Sequence, residues 1–148
     1  MYDEIVARRS AAWRYQLCLC VLAELCLLAD LPDEGLARLA SISEKDRQTV
    51  FAPEVLRLEG ELLLQRSASH SEVAERRFRS ALDLARARGE KSLELRAAMS
   101  LARLLDGRGG AREARAVLAP AYEWFTEGFD TADLIAAKSL LSGLGRAP

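Results

Sequence analysis

Apolar positions recur along this chain at helical spacing, and short polar turns interrupt them. Leu31-Pro32-Asp33 ends one apolar stretch and opens the next, because proline is tolerated in the first turn of a helix. Ala52-Pro53-Glu54 repeats that signal. Ser67 to Ser71 is a polar turn in which Ser69 and Glu72 have the spacing of a capping box. Gly89-Glu90-Lys91-Ser92, Asp106 to Gly110 and Glu127 to Thr131 mark the remaining turns. The pattern predicts seven helices, over 4–30, 33–45, 53–66, 71–88, 92–106, 111–126 and 131–143.

The helices carry an internal repeat. Ala74, Phe78, Ala81 and Leu82 share one helical face, and Ala114, Leu118, Ala121 and Tyr122 repeat the arrangement. Gly35, Leu39 and Ile42 follow it more loosely. The anchors Gly35, Ala74 and Ala114 lie 39 and 40 residues apart. Each is preceded by a helix with its own small-then-large pattern: Ala23 with Cys26, Gly60 with Leu63, Ala102 with Leu105. Small residues let two antiparallel helices approach, and large ones fill the space to the next pair. One pair cannot bury its own apolar face, so such pairs stack. The expectation is an all-α, right-handed α-solenoid. It forms one domain over 1–148, with repeats at about 8–45, 53–88 and 92–126 and a capping helix at about 131–144.

Composition agrees with helix. Among 148 residues there are 26 Leu and 25 Ala, against 6 Val, 3 Ile and 3 Thr. Ala and Leu head the helix-propensity scale, while β-branched residues favour strands. A formal net charge of −1 gives no reason to expect nucleic acid as a partner. Residues 72–115 hold 11 Lys+Arg against 7 Asp+Glu, a mild basic excess read as a solvated face of Glu–Arg pairs, since no stacking platform accompanies it. The apolar run Leu17–Ala29 spans 13 residues and contains Glu24, short of the ~20 needed to cross a bilayer. It reads as a buried helix of a cytoplasmic protein.

At this point the units resemble tetratricopeptide repeats of the longer, roughly 40-residue variety. The segments LELRAAMSLARLLDGRG and AREARAVLAPAYEWFTEGFDTADLIAAKSLL resemble the C-terminal repeat region of large bacterial signalling proteins. Those chains join an adenylate/guanylate cyclase domain, or a winged-helix domain, to a signal-transduction ATPase. The resemblance is strongest over Glu54–Leu144. The chain has no phosphate-binding glycine loop, cyclase carboxylate strands or DNA-binding domain, so only the repeat part is present. The resemblance implies a regulatory or sensor scaffold that binds a protein or peptide.

No motif of catalysis appears: no G-x-S-x-G, no H-E-x-x-H and no dinucleotide-binding glycine pattern. No cofactor and no metal are expected. Cys18, Cys20 and Cys26 lie on one predicted helix and are read as core residues, and His70 as solvated in a polar turn. Three candidate surfaces remain. Arg57, Glu61, Gln65, Arg96, Met99 and Arg103 are expected to line a concave groove, where two arginines suit a carboxylate unless Glu61 pairs with Arg96 or Arg103. Tyr122, Trp124, Phe125 and Phe129 form an aromatic cluster that is either core under the last helix or a ligand pocket, opened by a kink at Pro120. Leu17, Leu19, Leu22 and Leu25 belong to a stretch apolar nearly all round, which makes homodimerisation through the first helix an alternative to groove binding, as is small-molecule sensing near Trp124.

Overall fold

The structure, a computed structural model, describes residues 2–42 and 50–145, with side chains from Arg14 onward. The fold is all-α, and no strand occurs among the described residues. The helices are α1 (Tyr2–Leu28), α2 (Pro32–Ala40), α3 (Ala52–Arg66), α4 (Ser71–Arg88), α5 (Lys91–Gly107), α6 (Ala111–Glu123) and α7 (Ala132–Leu144). A 3-10 turn, Ala68–His70, leads into α4.

Local chemistry sets most of these boundaries. Pro32 and Pro53 occupy the first turns of α2 and α3. There a missing N–H costs nothing, because the first four amides of a helix have no partner in it. Three helices end on the same device. Asp30, Gly89 and Gly109 take the left-handed conformation, with φ of 58°, 70° and 81°. The following amides, of Leu31, Glu90 and Gly110, then donate back to the carbonyls of Cys26, Ala85 and Leu105, each at 2.9 Å. This closes the orphan carbonyls of each helix end.

Three expectations from the sequence shift. The predicted helix over 33–45 ends at Ala40, and residues 43–45 lie outside the described residues. The predicted capping box of Ser69 and Glu72 is replaced by Ser67, whose hydroxyl accepts from the Ser69 amide at 3.2 Å and meets the Ser69 hydroxyl at 2.9 Å. α6 runs through Pro120 and stops at Glu123 rather than 126. Proline denies the Ala116 carbonyl its helical donor, so the last turn is weakly held.

The chain divides into two compact units, 1–77 and 78–148. The division falls within α4, inside the second predicted repeat rather than between repeats. In the first unit α1, α2 and α3 pack on one another. Its core joins Leu19, Cys20 and Ala23 of α1, Leu39 of α2, Ile42, and Val55, Leu58 and Leu62 of α3. Full burial of each large side chain contributes on the order of 2 kcal/mol. Gly35 permits the closest approach. A Cβ there would lie 2.7 Å from a methyl of Leu62 and 3.2 Å from the Cβ of Cys26. In the second unit α5 packs on α6 and α7, and α6 on α7, burying Leu95, Leu101, Leu105, Leu118, Leu134 and Leu144.

Candidate functional site

The α3 side chains expected in the groove are held within the first unit. Arg57 is buried and makes a two-pronged contact with Glu54, Nε donating to Oε2 at 2.9 Å and Nη2 to Oε1 at 2.8 Å. Glu24 and Glu61 stand 3.8 Å away on either side. Burial pushes the Arg57 pKa down, but the Glu54 hydrogen bonds and the charges of Glu54, Glu61 and Glu24 outweigh it and raise the pKa. The guanidinium is therefore permanently charged and already coordinated. Gln65 donates from Nε2 to the Leu27 carbonyl at 2.8 Å, tying α3 to the end of α1.

The α5 side chains behave similarly in the second unit. Arg96 pairs with Asp133 of α7 at 3.1 Å. Met99 is buried, which removes it from any surface. Arg103 is exposed. Arg57 is thus enclosed among three carboxylates, Glu61 of its own helix among them, and Arg96 is tied to the last helix.

The aromatic residues divide into two pairs. Tyr122 and Phe129 have ring centroids 5.9 Å apart. Trp124 and Phe125 meet edge to face at 5.2 Å, with the Lys91 ammonium 5.6 Å from the Trp124 ring. Trp124 is 56% exposed. Phe125 borders a cleft of about 240 Å³, with Ser92, Leu95, Glu127, Gly128, Thr131, Asp133 and Leu134. Tyr122 borders another, of about 310 Å³, with Arg115, Lys138, Leu141, Ser142 and Gly145. They lie at or below the lower end of the ~300–1,000 Å³ of typical ligand sites.

α1 presents the third surface. Its inner face carries Gln16, Leu19, Cys20, Ala23 and Cys26, all buried. Leu19 is only 6% exposed, which corrects its placement at an interface: its side chain belongs to the core of its own unit. Its outer face carries Cys18, Val21, Leu22, Leu25 and Leu28, all exposed, the last at 79%. Spacings of 3, 1, 3 and 3 hold these five on one side of the helix. Leu17 and Tyr15 flank them, both exposed. Beside Tyr15 a shallow cleft of about 360 Å³ opens between α1 and α2, lined also by Leu19, Glu34, Ala37, Arg38 and Ser41.

The cysteines follow this division. Cys18 is exposed, while Cys20 and Cys26 are buried. Burial first, and the charge of Glu54 second, push the Cys20 thiol up to about 12, so it stays protonated and inert near neutrality. His70 sits half-buried in the 3-10 turn rather than solvated, its Nδ1 buried with no hydrogen-bond partner among the described residues.

Two sets of ion pairs escaped the sequence reading. One is the buried Glu54–Arg57. The other centres on the buried Glu94, which receives the partly exposed Lys91 Nζ at 2.8 Å and Arg86 Nε at 3.0 Å. The signal was the three-residue spacing of Glu54–Arg57 and of Lys91–Glu94. The arginines of α4 also find acids: Arg77 with Glu59 at 3.3 Å and Arg79 with Glu113 at 2.9 Å. Among the described residues no group of three or more His, Cys, Asp or Glu is placed to hold a metal, and no helix is long and apolar enough to cross a membrane. Compared with known proteins, the chain matches no family model, no curated protein and no solved structure.

Proposed function

We propose that this chain is a non-enzymatic protein–protein interaction module of tetratricopeptide-like helix pairs, serving as the regulatory or sensor part of a bacterial signalling system. One observation supports it above the others. The outer face of α1 exposes a continuous row of large apolar side chains, from Val21 to Leu28, on a helix whose opposite face is fully used by its own core. Exposed apolar surface of that extent marks a site that another protein covers. The groove arginines carry less of the reading, because Arg57 and Arg96 are satisfied inside the chain. An output is controlled this way when the partner binds one state of the attached machinery more tightly than the other.

Cys18 lies one turn before Val21 on that face and is the exposed thiol of the three. Its alkylation rate in the cells that produce the chain, compared with the rate in dilute purified chain, tests the reading. The expected result is slower labelling in the cell, restored to the dilute rate by Leu25→Glu. Equal rates in both settings would overturn it.

A further inference from the structure

We infer that the cleft between α6 and α7 is a binding site for an organic carboxylate, a ligand with an acidic head and an apolar stem. The site lies in the second unit, away from α1, and goes beyond the interaction reading. Three observations carry it.

The first is unspent positive charge. Arg115 of α6 and Lys138 of α7 line the same cleft, and no acidic residue lines it with them. Among the described residues neither is paired with a carboxylate. Two like charges around one recess repel each other, and an anion held there relieves both.

The second is that the guanidinium is already held. Nη1 of Arg115 donates to the Leu141 carbonyl at 3.2 Å, which seats the side chain on the last turn of α7. Gly145 leaves it room, since a Cβ there would stand 3.4 Å from Nη1. That bond uses one N–H, and the others have no acceptor among the described residues. A guanidinium fixed along one edge presents to a carboxylate the fork that matches its two oxygens. Order present before binding lowers what binding costs.

The third is shape. The cleft, about 310 Å³, has room for a small molecule or one side chain and not for a helix. Leu141 and the half-buried Tyr122 give it an apolar wall that a bare inorganic anion would leave uncovered. The Tyr122 hydroxyl has no hydrogen-bond partner among the described residues and is a further donor. The Ser142 hydroxyl is not one, because its proton goes to the Lys138 carbonyl at 2.9 Å. The acid is either a free molecule or a glutamate side chain of a peptide, and the chemistry of the head is the same in both.

The test is titration of the full, isotope-labelled chain at fixed ionic strength, read as amide shifts of Tyr122, Lys138, Ser142 and Gly145. The probes are hexanoate, the peptide acetyl-Leu-Glu-Leu-amide and inorganic phosphate. The expected result is saturable shifts at these amides with one of the two carboxylates or both, and the tighter of the two names the source. Lys138→Gln and Arg115→Gln should each weaken binding by roughly tenfold or more. Arg115→Lys, which keeps the charge and loses the fork, should weaken it several-fold. Lys138 is exposed, so Lys138→Gln should leave the helical circular dichroism unchanged. No saturable shift with either carboxylate up to about 10 mM would overturn the inference. So would binding indifferent to Lys138→Gln. Phosphate bound as tightly as hexanoate and the peptide would overturn it too, by reducing the cleft to bare charge. None of these outcomes bears on the protection of Cys18, which tests the interaction reading by itself.

Discussion

Arg57 and Glu54, one helical turn apart on α3, form a closed two-pronged pair at 2.8 and 2.9 Å in the interior of the first unit. Both side chains are less than one-tenth exposed. Desolvating two charges costs several kcal/mol, and the fork geometry together with Glu24 and Glu61 at 3.8 Å offsets it. The pair is therefore part of the framework, and what it lends the fold depends on its staying whole.

Glu54→Ala removes one partner and leaves a buried guanidinium with only two distant carboxylates. The expected loss is about 3 kcal/mol of unfolding free energy. Urea titration should show a lower midpoint with an unchanged slope. Replacing both residues, Glu54→Leu with Arg57→Met, should recover most of that loss, because the buried guanidinium goes with its partner and the carboxylates left, Glu24 and Glu61, reach solvent. A double variant as unstable as Glu54→Ala would contradict this account.

Glu94 gives the fold an acid-side dependence. Burial pushes its carboxyl up, but Lys91 and Arg86 together outweigh burial and hold it below the ordinary 4.5. A carboxyl depressed in the folded state contributes stability that is complete above its unfolded value. That contribution is lost as pH falls through the folded value. Stability should thus decline below about pH 4.5, and Glu94→Gln should flatten that decline while lowering stability at neutral pH. Thermal unfolding of both proteins from pH 7 downward reads this directly. Parallel curves for the two would reject it.

Gly35 is a test of close packing. Alanine gains about 1 kcal/mol of helix propensity over glycine. Against this, the added methyl would lie 2.7 and 2.8 Å from the two methyls of Leu62, which has no exposed surface into which to retreat. Overpacking of this kind costs about 1–3 kcal/mol. Gly35→Ala should therefore be net destabilising by roughly 1 kcal/mol. The same change made together with Leu62→Val should cost measurably less than the sum of the two alone. Additive losses would show that the contact between α2 and α3 does not set the cost.

The helices were legible because their signals are local. Pro32, Pro53 and Gly109 state their boundaries in the residue type itself. The core positions Leu39, Phe78 and Leu118 were legible from period alone. What the sequence could not show is which charged residue answers which. Arg57 has acids within reach on its own helix and on α1, and only the packing of α1 against α3 brings Glu24 beside it. The same holds for α1 itself. Leu19 and Leu22 are one turn apart and chemically identical. One is core and the other surface because α2 and α3 cover a single side. Leu17–Leu28 is apolar nearly all round, so its period carries no face. The face was set by neighbours whose positions the sequence does not state. The aromatic residues near Trp124 failed for a related reason: closeness along the chain did not tell that they would pair in twos.

Asp30 holds the position that Gly89 and Gly109 hold at two other helix ends, in a left-handed conformation that aspartate tolerates less well than glycine. Asp30→Gly should therefore stabilise the monomer by about 0.5–1 kcal/mol, keeping the bond from the Leu31 amide to the Cys26 carbonyl. Gly89→Ala and Gly109→Ala should each destabilise by a similar amount, since neither site has a neighbour within 4 Å to object to the methyl and the cost is conformational. Urea titration of the three variants reads this directly, and an Asp30→Gly chain less stable than the parent would reject it.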